Sequence, residues 1–253
     1  MSTAEKRDGA PRRLLQKRKL SELEHTNEEV AKIFTDIAHA LQTPLSCLMS
    51  ELTALERHTT NSAADHIRHC GRIIQNMSAL IQNALYISRL EQSEFETFMQ
   101  DISLSELLED VMEYVTTLTA QRRISLSSNI QTGVWVRGIP DKLEELIIAV
   151  LSNSIKYCKP RGKRTIAVTL HANNTSAVIH IQDNGIGIAT EDMPHIFNRF
   201  YRTPNASQQS ERGTGLGLAI AKKIADKHSV TIDIESTLNV GTSVRITFPV
   251  KKG

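Results

Sequence analysis

Residues 181–188 read Ile-Gln-Asp-Asn-Gly-Ile-Gly-Ile, and residues 213–218 read Gly-Thr-Gly-Leu-Gly-Leu. The first stretch predicts a strand that ends at Asp183 and runs into a glycine turn, and the second predicts a glycine loop that opens a helix. Around them, from about residue 100 onward, short β-branched runs alternate with helical stretches. This alternation indicates an α/β or α+β domain.

The elements expected in this region define the sheet more closely. We predict helices near Leu104–Thr119, Asp141–Tyr157 and Gly217–Lys227, and strands near Ile124–Ser128, Trp135–Gly138, Thr165–Ala172, Ala177–Gln182, Thr231–Ser236 and Ser243–Val250. Their number and order predict a mixed sheet with helices on one face.

Three polar side chains in these segments suit a nucleotide. Asn153 and Lys156 are three residues apart on a predicted helix, so they share a face. An amide oxygen suits Mg²⁺, and an ammonium group suits phosphate. Asp183, at a strand end, can accept a hydrogen bond from the exocyclic amine that distinguishes adenine from guanine.

The glycines of the two opening stretches suit the same ligand. Gly185 and Gly187 let the backbone lie close to a flat ring, and Gly213, Gly215 and Gly217 leave N–H groups free for anionic oxygens at a helix N-terminus. No Gly-Lys-Ser/Thr follows these glycines, which excludes a P-loop. No strand runs directly into them, which excludes a Rossmann fingerprint.

The first 98 residues contain little glycine and read as a helical hairpin. A 3-4-3-4 heptad pattern comprises Leu20, Leu23, Asn27, Val30, Phe34, Ile37 and Leu41. A second helix is expected from about Ser62 to Phe95. Its wide apolar stripe comprises Ile67, Cys70, Ile73, Ile74, Met77, Leu80, Ile81, Ala84, Leu85, Ile87 and Leu90. One partner helix cannot cover that stripe, so we expect a four-helix homodimer, with packing against the second region as the alternative.

Composition excludes several other classes of protein. A net charge of +2 and 4% aromatic residues argue against a nucleic-acid binder. Three cysteines without a CxxC pair predict neither a zinc site nor a disulfide framework, and we expect all three to be core residues in a reducing compartment. No apolar run approaches a membrane span and no secretory signal is present.

His39 stands out among the nine histidines. With Phe34 at a and Ile37 at d, His39 falls at the solvent-facing f position of the heptad. An accessible neutral imidazole there can attack a phosphorus atom. Pro44 follows five residues later, where we expect the helix to kink.

These motifs together resemble those of one protein family. The segments Asn153-xx-Lys156-Tyr157, Asp183-x-Gly185-x-Gly187, Phe197-xx-Phe200-Tyr-Arg202 and Gly213-x-Gly215-x-Gly217-Leu218 look like the N, G1, F and G2 boxes of histidine-kinase ATPase domains. Asn239-Val-Gly241-Thr242 resembles the closing box of that domain, and the segment from Phe34 to Leu45 resembles the H box of the dimerisation hairpin. The matches run from about residue 14 to 250 in the family's order, so the chain is similar to two-component sensor histidine kinases.

The resemblance implies a multidomain α+β fold. Residues 1–13 would form a disordered basic arm and residues 14–98 a dimerisation and phosphotransfer hairpin, which is a four-helix bundle as a dimer. Residues 101–250 would form an α/β-sandwich, GHKL-type ATP-binding domain. A cytoplasmic protein is expected, with any membrane association supplied by a separate or missing sensor.

The resemblance also implies ATP and Mg²⁺ as cofactors. Asp183 would bind the adenine amine, Asn153 the Mg²⁺, and Lys156 and Arg202 the phosphates, with Tyr157 against the nucleotide. Residues 203–212 would form a mobile lid. The remaining implied binding residues are Gly185, Gly187, Gly213, Thr214, Gly215, Leu216, Gly217, Leu218 and Thr242.

The activity implied is autophosphorylation of His39 from ATP, with transfer to an Asp on the receiver domain of a response regulator. Two residues depart from the family pattern: Ala40 stands where Glu or Asp usually follows the histidine, and Ala149 stands where a second Asn is common. Thr43 occupies a position used in regulator dephosphorylation. The alternatives are therefore a kinase-weak scaffold or regulator phosphatase, and a stand-alone GHKL ATPase.

Overall fold

The computed structural model describes residues 35, 37–53, 55, 63–92, 98–159, 162–205 and 213–250. The chain divides into two compact units, Met1–Gln92 and Ser93–Gly253. Most of the N-terminal heptad, the basic arm and most of the expected lid lie outside the described residues. In the part of the chain that is described, no helix combines the length and apolar character needed to cross a bilayer.

Two helices are described in the first unit. Helix α1 is described over residues 37–53 and continues through Pro44, and α2 spans Ala63–Gln92, close to the predicted bounds. The two helices are tied by a hydrogen bond of 2.5 Å between Glu51 Oε2 and His66 Nδ1. This bond holds the pKa of Glu51 below its usual value.

Only part of the apolar stripe on α2 is covered. The buried side chains are Cys70, Ile73, Leu80, Ala84 and Ile87. Exposed large side chains on the same two helices are Leu45, Met49, Leu52, Ile67, Ile74, Ile81 and Leu85. Cys47 is exposed as well, so the prediction of three core cysteines is wrong for this residue. It lies on the same surface-facing part of α1 as its exposed neighbours Ser46 and Thr43.

Among its described residues, the second unit has three long helices and seven strands, in close agreement with the predicted order. Its elements are β1 (Gln100–Ser103), α3 (Leu104–Gln121), β2 (Ser125–Ile130), β3 (Trp135–Gly138), α4 (Pro140–Lys156), β4 (Thr165–Ala172), β5 (Ser176–Asp183), α5 (Gly217–Lys227), β6 (Thr231–Thr237) and β7 (Gly241–Pro249). A short 3-10 helix, Met193–His195, precedes α5. Strand β1, which we did not predict, pairs antiparallel with β3.

The main sheet has five strands in the order β2-β4-β5-β7-β6. β2 and β4 run parallel and the other neighbours are antiparallel, which confirms the predicted mixed sheet. Alternate side chains of each strand face the helices because side chains on a strand alternate between its two faces. Ile166, Val168 and Leu170 of β4 are fully buried, as are Ile179 and Ile181 of β5. The structure thus shows the α/β sandwich that the sequence predicted.

A buried histidine holds the C-terminal end of α5. The backbone N–H of Ile139, just before α4, donates to His228 Nε2 at 3.1 Å. The other ring nitrogen, Nδ1, lies 2.8 Å from the carbonyl oxygen of Ile224 and donates to it. Burial lowers the pKa of His228, so the ring is neutral and its tautomer is set by these two partners.

Candidate nucleotide-binding site

The second unit contains a cavity of about 410 Å³ where α4, β5, β7 and the start of α5 meet. That volume lies in the range of small-molecule sites in proteins. Predicted residues on its wall are Asn153, Lys156, Tyr157, Asp183, Gly187, Arg202, Gly213, Thr214, Gly215, Gly217, Leu218 and Thr242. Segments up to 90 residues apart in the chain are therefore brought to one pocket.

Four predicted residues lie elsewhere. Gly185 and Leu216 are both buried and are not part of the cavity lining. His39 and Thr43 belong to the first unit, where both are exposed on α1. Because they are four residues apart on one helix, their side chains lie on the same face.

Asp183 is the half-buried carboxylate of the cavity. It ends β5 directly opposite Thr242 on β7. Its Oδ1 accepts from the backbone N–H of Gly185 at 2.8 Å and of Thr242 at 3.2 Å. Burial raises the pKa of Asp183, and the hydrogen bonds from Gly185, Ser154 and Thr242 act against that rise. The two backbone hydrogen bonds therefore hold the carboxylate in place from the loop after β5 and from β7.

Two glycines allow backbone segments to approach each other around the cavity. Gly187 has φ +66°, and a Cβ there would lie 2.0 Å from the carbonyl oxygen of Thr237. Gly215 has φ +70°, and a Cβ there would lie 2.6 Å from the carbonyl carbon of Phe200. Phe200 N donates to the Gly215 carbonyl at 2.9 Å, which joins the F-box and G2-box segments. No other residue type satisfies both the positive φ and the close contact.

The end of α4 meets the start of the G2 loop. Lys156 Nζ donates to the Tyr157 hydroxyl at 2.9 Å and lies 4.6 Å from the centre of the Tyr157 ring. A Cβ on Gly213 would lie 2.0 Å from the same Nζ atom. The ammonium group thus lies directly beside the backbone of the glycine loop, where an anionic group held by that loop would be within its reach.

Several lining residues were not predicted. The apolar wall includes Ile186, Ile188, Ile196, Ile234 and Val244. The apolar alternation of β6 and β7 indicated buried side chains but gave no sign that some of them face a cavity. An apolar wall opposite a polar floor suits a flat heteroaromatic base with a hydrogen-bonding edge.

The segment before the expected lid contains a pair of side chains that we did not predict. The Tyr201 hydroxyl donates to Asp192 Oδ1 at 2.6 Å, and the Asp192 side chain is buried. This hydrogen bond to Asp192 raises the pKa of Tyr201. The ring of Tyr201 also packs against His195, with centroids 5.5 Å apart. Arg202, the next residue, is thereby fixed at the cavity wall.

Comparison with known proteins places this geometry in a family. Residues 138–252 match the family described as histidine kinase-, DNA gyrase B-, and HSP90-like ATPase. The sensor histidine kinase RppB of Synechocystis sp. is 34% identical over 220 residues, covering 84% of this chain and 47% of the relative. The sensor protein kinase PmrB of Pseudomonas aeruginosa is 30% identical over 232 residues, covering 91% and 48%. The chain spans about half the length of these curated relatives.

Solved structures show the same fold. The histidine kinase AdeS of Acinetobacter baumannii superposes with a TM-score of 0.65 at 20% identity, covering 84% of this chain and 98% of that one. The histidine kinase ThkA, solved with the response regulator TrrA, gives a TM-score of 0.71 at 18% identity, covering 92% and 66%. From the matched ATPase domain and the sensor-kinase relatives that align along most of its length, we conclude that this chain belongs to the two-component sensor histidine kinases.

Proposed function

We propose that this chain is the kinase core of a two-component system, which transfers the γ-phosphoryl group of ATP to His39 and then to an Asp of a response regulator. The observation that supports this most directly is the cavity of the second unit, which is lined by twelve of the residues that the sequence assigned to nucleotide binding. The functional boundaries proposed are 14–98 for the phosphotransfer hairpin and 101–250 for the ATP-binding domain.

The base-binding end of the cavity is assigned to Asp183 and Thr242. Asp183 accepts from the exocyclic amine of adenine, since its carboxylate is half-buried and lines the cavity together with the apolar side chains of Ile186 and Val244. Gly187 lines the cavity beside the base, and its missing Cβ allows this loop to approach the Thr237 carbonyl. Tyr157, at the end of α4, lies against the nucleotide.

The phosphate-binding end is assigned to the other wall. Lys156, Arg202 and the backbone N–H groups of residues 213–218 bind the phosphates, because they lie where the helix α5 begins. Asn153 would hold Mg²⁺ through its amide oxygen, and the ion would supply positive charge beside the phosphates. Ala149 offers no second amide, so water is expected to complete the coordination there.

His39 is assigned as the phosphoryl acceptor. The imidazole nitrogen forms a bond to the γ-phosphorus as the bond to the β–γ bridging oxygen breaks, and ADP leaves with that electron pair. The ring proton must pass to a base, and Ala40 cannot accept it. A missing base costs about 10²–10⁴ in rate, so we expect slow autophosphorylation.

The hairpin is proposed to act as a homodimer. Ile67, Ile74, Ile81 and Leu85 of α2 are 61%, 52%, 40% and 46% exposed. These side chains are spaced as one helix face and would be covered by a second copy, which forms a four-helix bundle. A response regulator is the partner that would then take the phosphoryl group from His39.

One observation favours a second activity. Thr43 is exposed one turn after His39, on the same face, where its hydroxyl can orient a water towards a phosphorylated regulator. A protein with weak kinase activity could act mainly as a regulator phosphatase through this residue.

Incubation with ATP labelled at the γ-phosphorus tests the proposal. We expect an acid-labile label on the wild-type chain and its complete loss in His39→Gln. His69→Gln is the matched control, since His69 is an exposed histidine of the same unit and should keep the label. ATP binding with no label supports the scaffold or phosphatase, and steady phosphate release without a protein-bound label supports the stand-alone ATPase.

A further inference from the structure

Three polar side chains form one row across the sheet at the base-binding end of the cavity. Asp183 of β5 is directly opposite Thr242 of β7, and Thr242 is directly opposite Ser236 of β6. Residues directly opposite each other on neighbouring strands carry their side chains on the same face of the sheet. Asp183 and Thr242 line the cavity, and Ser236 is half-buried beside them on the edge strand.

The hydroxyl of Ser236 joins three parts of the site. Its Oγ accepts from the backbone N–H of Ile188 at 2.9 Å and donates to the carbonyl oxygen of Gly241 at 3.0 Å. It also lies 2.9 Å from Oγ1 of Thr242. Ile188 and Thr242 both line the cavity. Ser236 thus ties the loop that follows Asp183 to the hairpin of β6 and β7.

These contacts decide where the proton of the Thr242 hydroxyl lies. A serine hydroxyl has one proton to donate and accepts through its lone pairs. Because a carbonyl oxygen can only accept, the proton of Ser236 lies towards Gly241. The contact between the two hydroxyl oxygens is then a hydrogen bond in which Thr242 donates and Ser236 accepts. With its proton used in this way, Thr242 has only acceptor lone pairs to offer to the cavity.

We propose that Ser236 is a positioning residue for base selection, which fixes Thr242 as a hydrogen-bond acceptor beside the carboxylate of Asp183. Two neighbouring acceptors then face the group at position 6 of a purine, and both suit the N–H groups of an exocyclic amine. A carbonyl oxygen in the same place would meet two acceptors, so it would be rejected. This inference rests on the proposed function, in which Asp183 and Thr242 bind the base, and it adds the residue that sets the polarity of Thr242.

The test compares ATP with inosine 5′-triphosphate, whose base has a carbonyl in place of the 6-amine and a proton on N1. Calorimetry with the wild-type full chain and Mg²⁺ should show that ATP binds more tightly. In Ser236→Ala the Thr242 hydroxyl loses its acceptor and can turn its proton towards a carbonyl oxygen in the cavity. We expect the preference for ATP to fall by about tenfold, mainly because the inosine nucleotide binds more tightly. A merely structural role of Ser236 would weaken both nucleotides together.

Two further variants test whether Ser236 acts through its hydroxyl and through Thr242. Ser236→Thr keeps the hydroxyl on a residue type that suits a strand, so it should retain the wild-type preference. Thr242→Val removes the hydroxyl on which Ser236 acts and should itself lower the preference. Adding Ser236→Ala to Thr242→Val should then change the preference no further.

The matched control is Ser243→Ala. Ser243 follows Thr242 on β7, so its side chain lies on the opposite face of the sheet. There its hydroxyl is 2.7 Å from Nε2 of His180. Loss of this hydroxyl should leave the preference unchanged. Melting temperatures show whether each variant is folded, and Thr242→Val carries the test alone if Ser236→Ala does not fold.

The outcomes separate the inference from the proposed function. A preference that falls in Ser236→Ala and is retained in Ser236→Thr and Ser243→Ala supports the inference. Three results overturn it while the proposed function stands: an unchanged or higher preference in Ser236→Ala, equal weakening of both nucleotides, or a further fall in the double variant. An unchanged preference in Thr242→Val overturns it as well. A wild-type chain that binds neither nucleotide overturns the proposed function itself.

Discussion

The two units of the chain differ in how completely each buries its own apolar surface. The second unit encloses its core: Leu104, Leu108, Leu143, Ile166 and Ile246 have no exposed surface. The first unit leaves Ile67 and Ile74 more than half exposed. The second unit therefore forms its cavity within a single chain, whereas the first leaves an apolar helix face exposed, which the proposed homodimer would cover. In the proposed function, nucleotide binding would need one chain, whereas the hairpin that carries the phosphoryl acceptor would need two.

The largest expected effect is on the proposed dimer of the first unit. Ile74→Glu combined with Ile81→Glu places two charges in the proposed dimer face. We expect the dissociation constant of the dimer to rise by about a thousandfold or more, because apolar burial is lost and charges would be buried unpaired. Light scattering at increasing protein concentration measures the change.

The matched control for this prediction lies one residue further along the same helix. Gln75→Glu with Gln82→Glu adds the same charge about 100° around α2, at exposed positions. These substitutions should leave the dimer intact. ATP affinity should be unaffected in both double variants. A dimer that survives the isoleucine substitutions would show that the exposed stripe is covered by something else.

A smaller effect is expected on ATP binding at the cavity of the second unit. Asp183→Asn keeps the shape of the side chain but converts one acceptor oxygen into a donor. We expect ATP binding to weaken by about a hundredfold, since a buried charged acceptor is lost and the new donor opposes the amine of the base. Calorimetry with ATP and Mg²⁺ measures the affinity, and light scattering should report an unaltered dimer. Loss of the dimer along with ATP binding would contradict the independence of the two units.

The sequence predicted the second unit well because its signals are local. The apolar alternation of β4 and the glycines before α5 gave Thr165–Ala172 and Gly217–Lys227 with the observed bounds. Strand β1 was missed because Gln100-Asp-Ile-Ser has one apolar residue and is held by pairing with β3, more than 30 residues away. Local pattern carries no information about such a partner.

The candidate site shows the same limit. The motif residues were found because each motif is contiguous, but the contacts between motifs were not. Asp183 looked like the end of a strand, and its Oδ1 accepts from the backbone N–H of Thr242, 59 residues further along the chain. The Tyr201–Asp192 pair is similar, because nothing in the spacing of nine residues distinguishes it from two unrelated polar side chains. In contrast, the sequence did predict the exposed apolar stripe on α2, because its apolar positions cover a wider face of the helix than one partner helix can bury.

The smallest expected effect concerns how the free energy of unfolding of the second unit depends on pH. The pKa of His228 is lowered by burial, so the ring is neutral in the folded chain, while in the unfolded chain it titrates near its ordinary value of about 6.5. Above this pKa neither the folded nor the unfolded chain binds a proton on His228, so the contribution of the neutral ring to stability is fully present. As the pH falls below it, the unfolded chain takes up a proton that the folded chain excludes. We therefore expect the free energy of unfolding to fall, by about 1 kcal/mol per pH unit, until the folded pKa is reached.

Urea unfolding monitored by the fluorescence of Trp135 measures this free energy in the right unit, because Trp135 is the single tryptophan of the chain and lies in β3, next to the segment that bonds His228. His228→Gln should be less stable at neutral pH, since the two hydrogen bonds of the ring are lost or weakened, but its stability should depend less steeply on pH between 7.5 and 5.5. His171→Gln is the control, because His171 is an exposed histidine of β4 and should leave the slope as in the wild type. Equal slopes in all three proteins would mean that protonation of other groups sets the acid limit of this unit, and that the end of α5 is not held by a neutral imidazole.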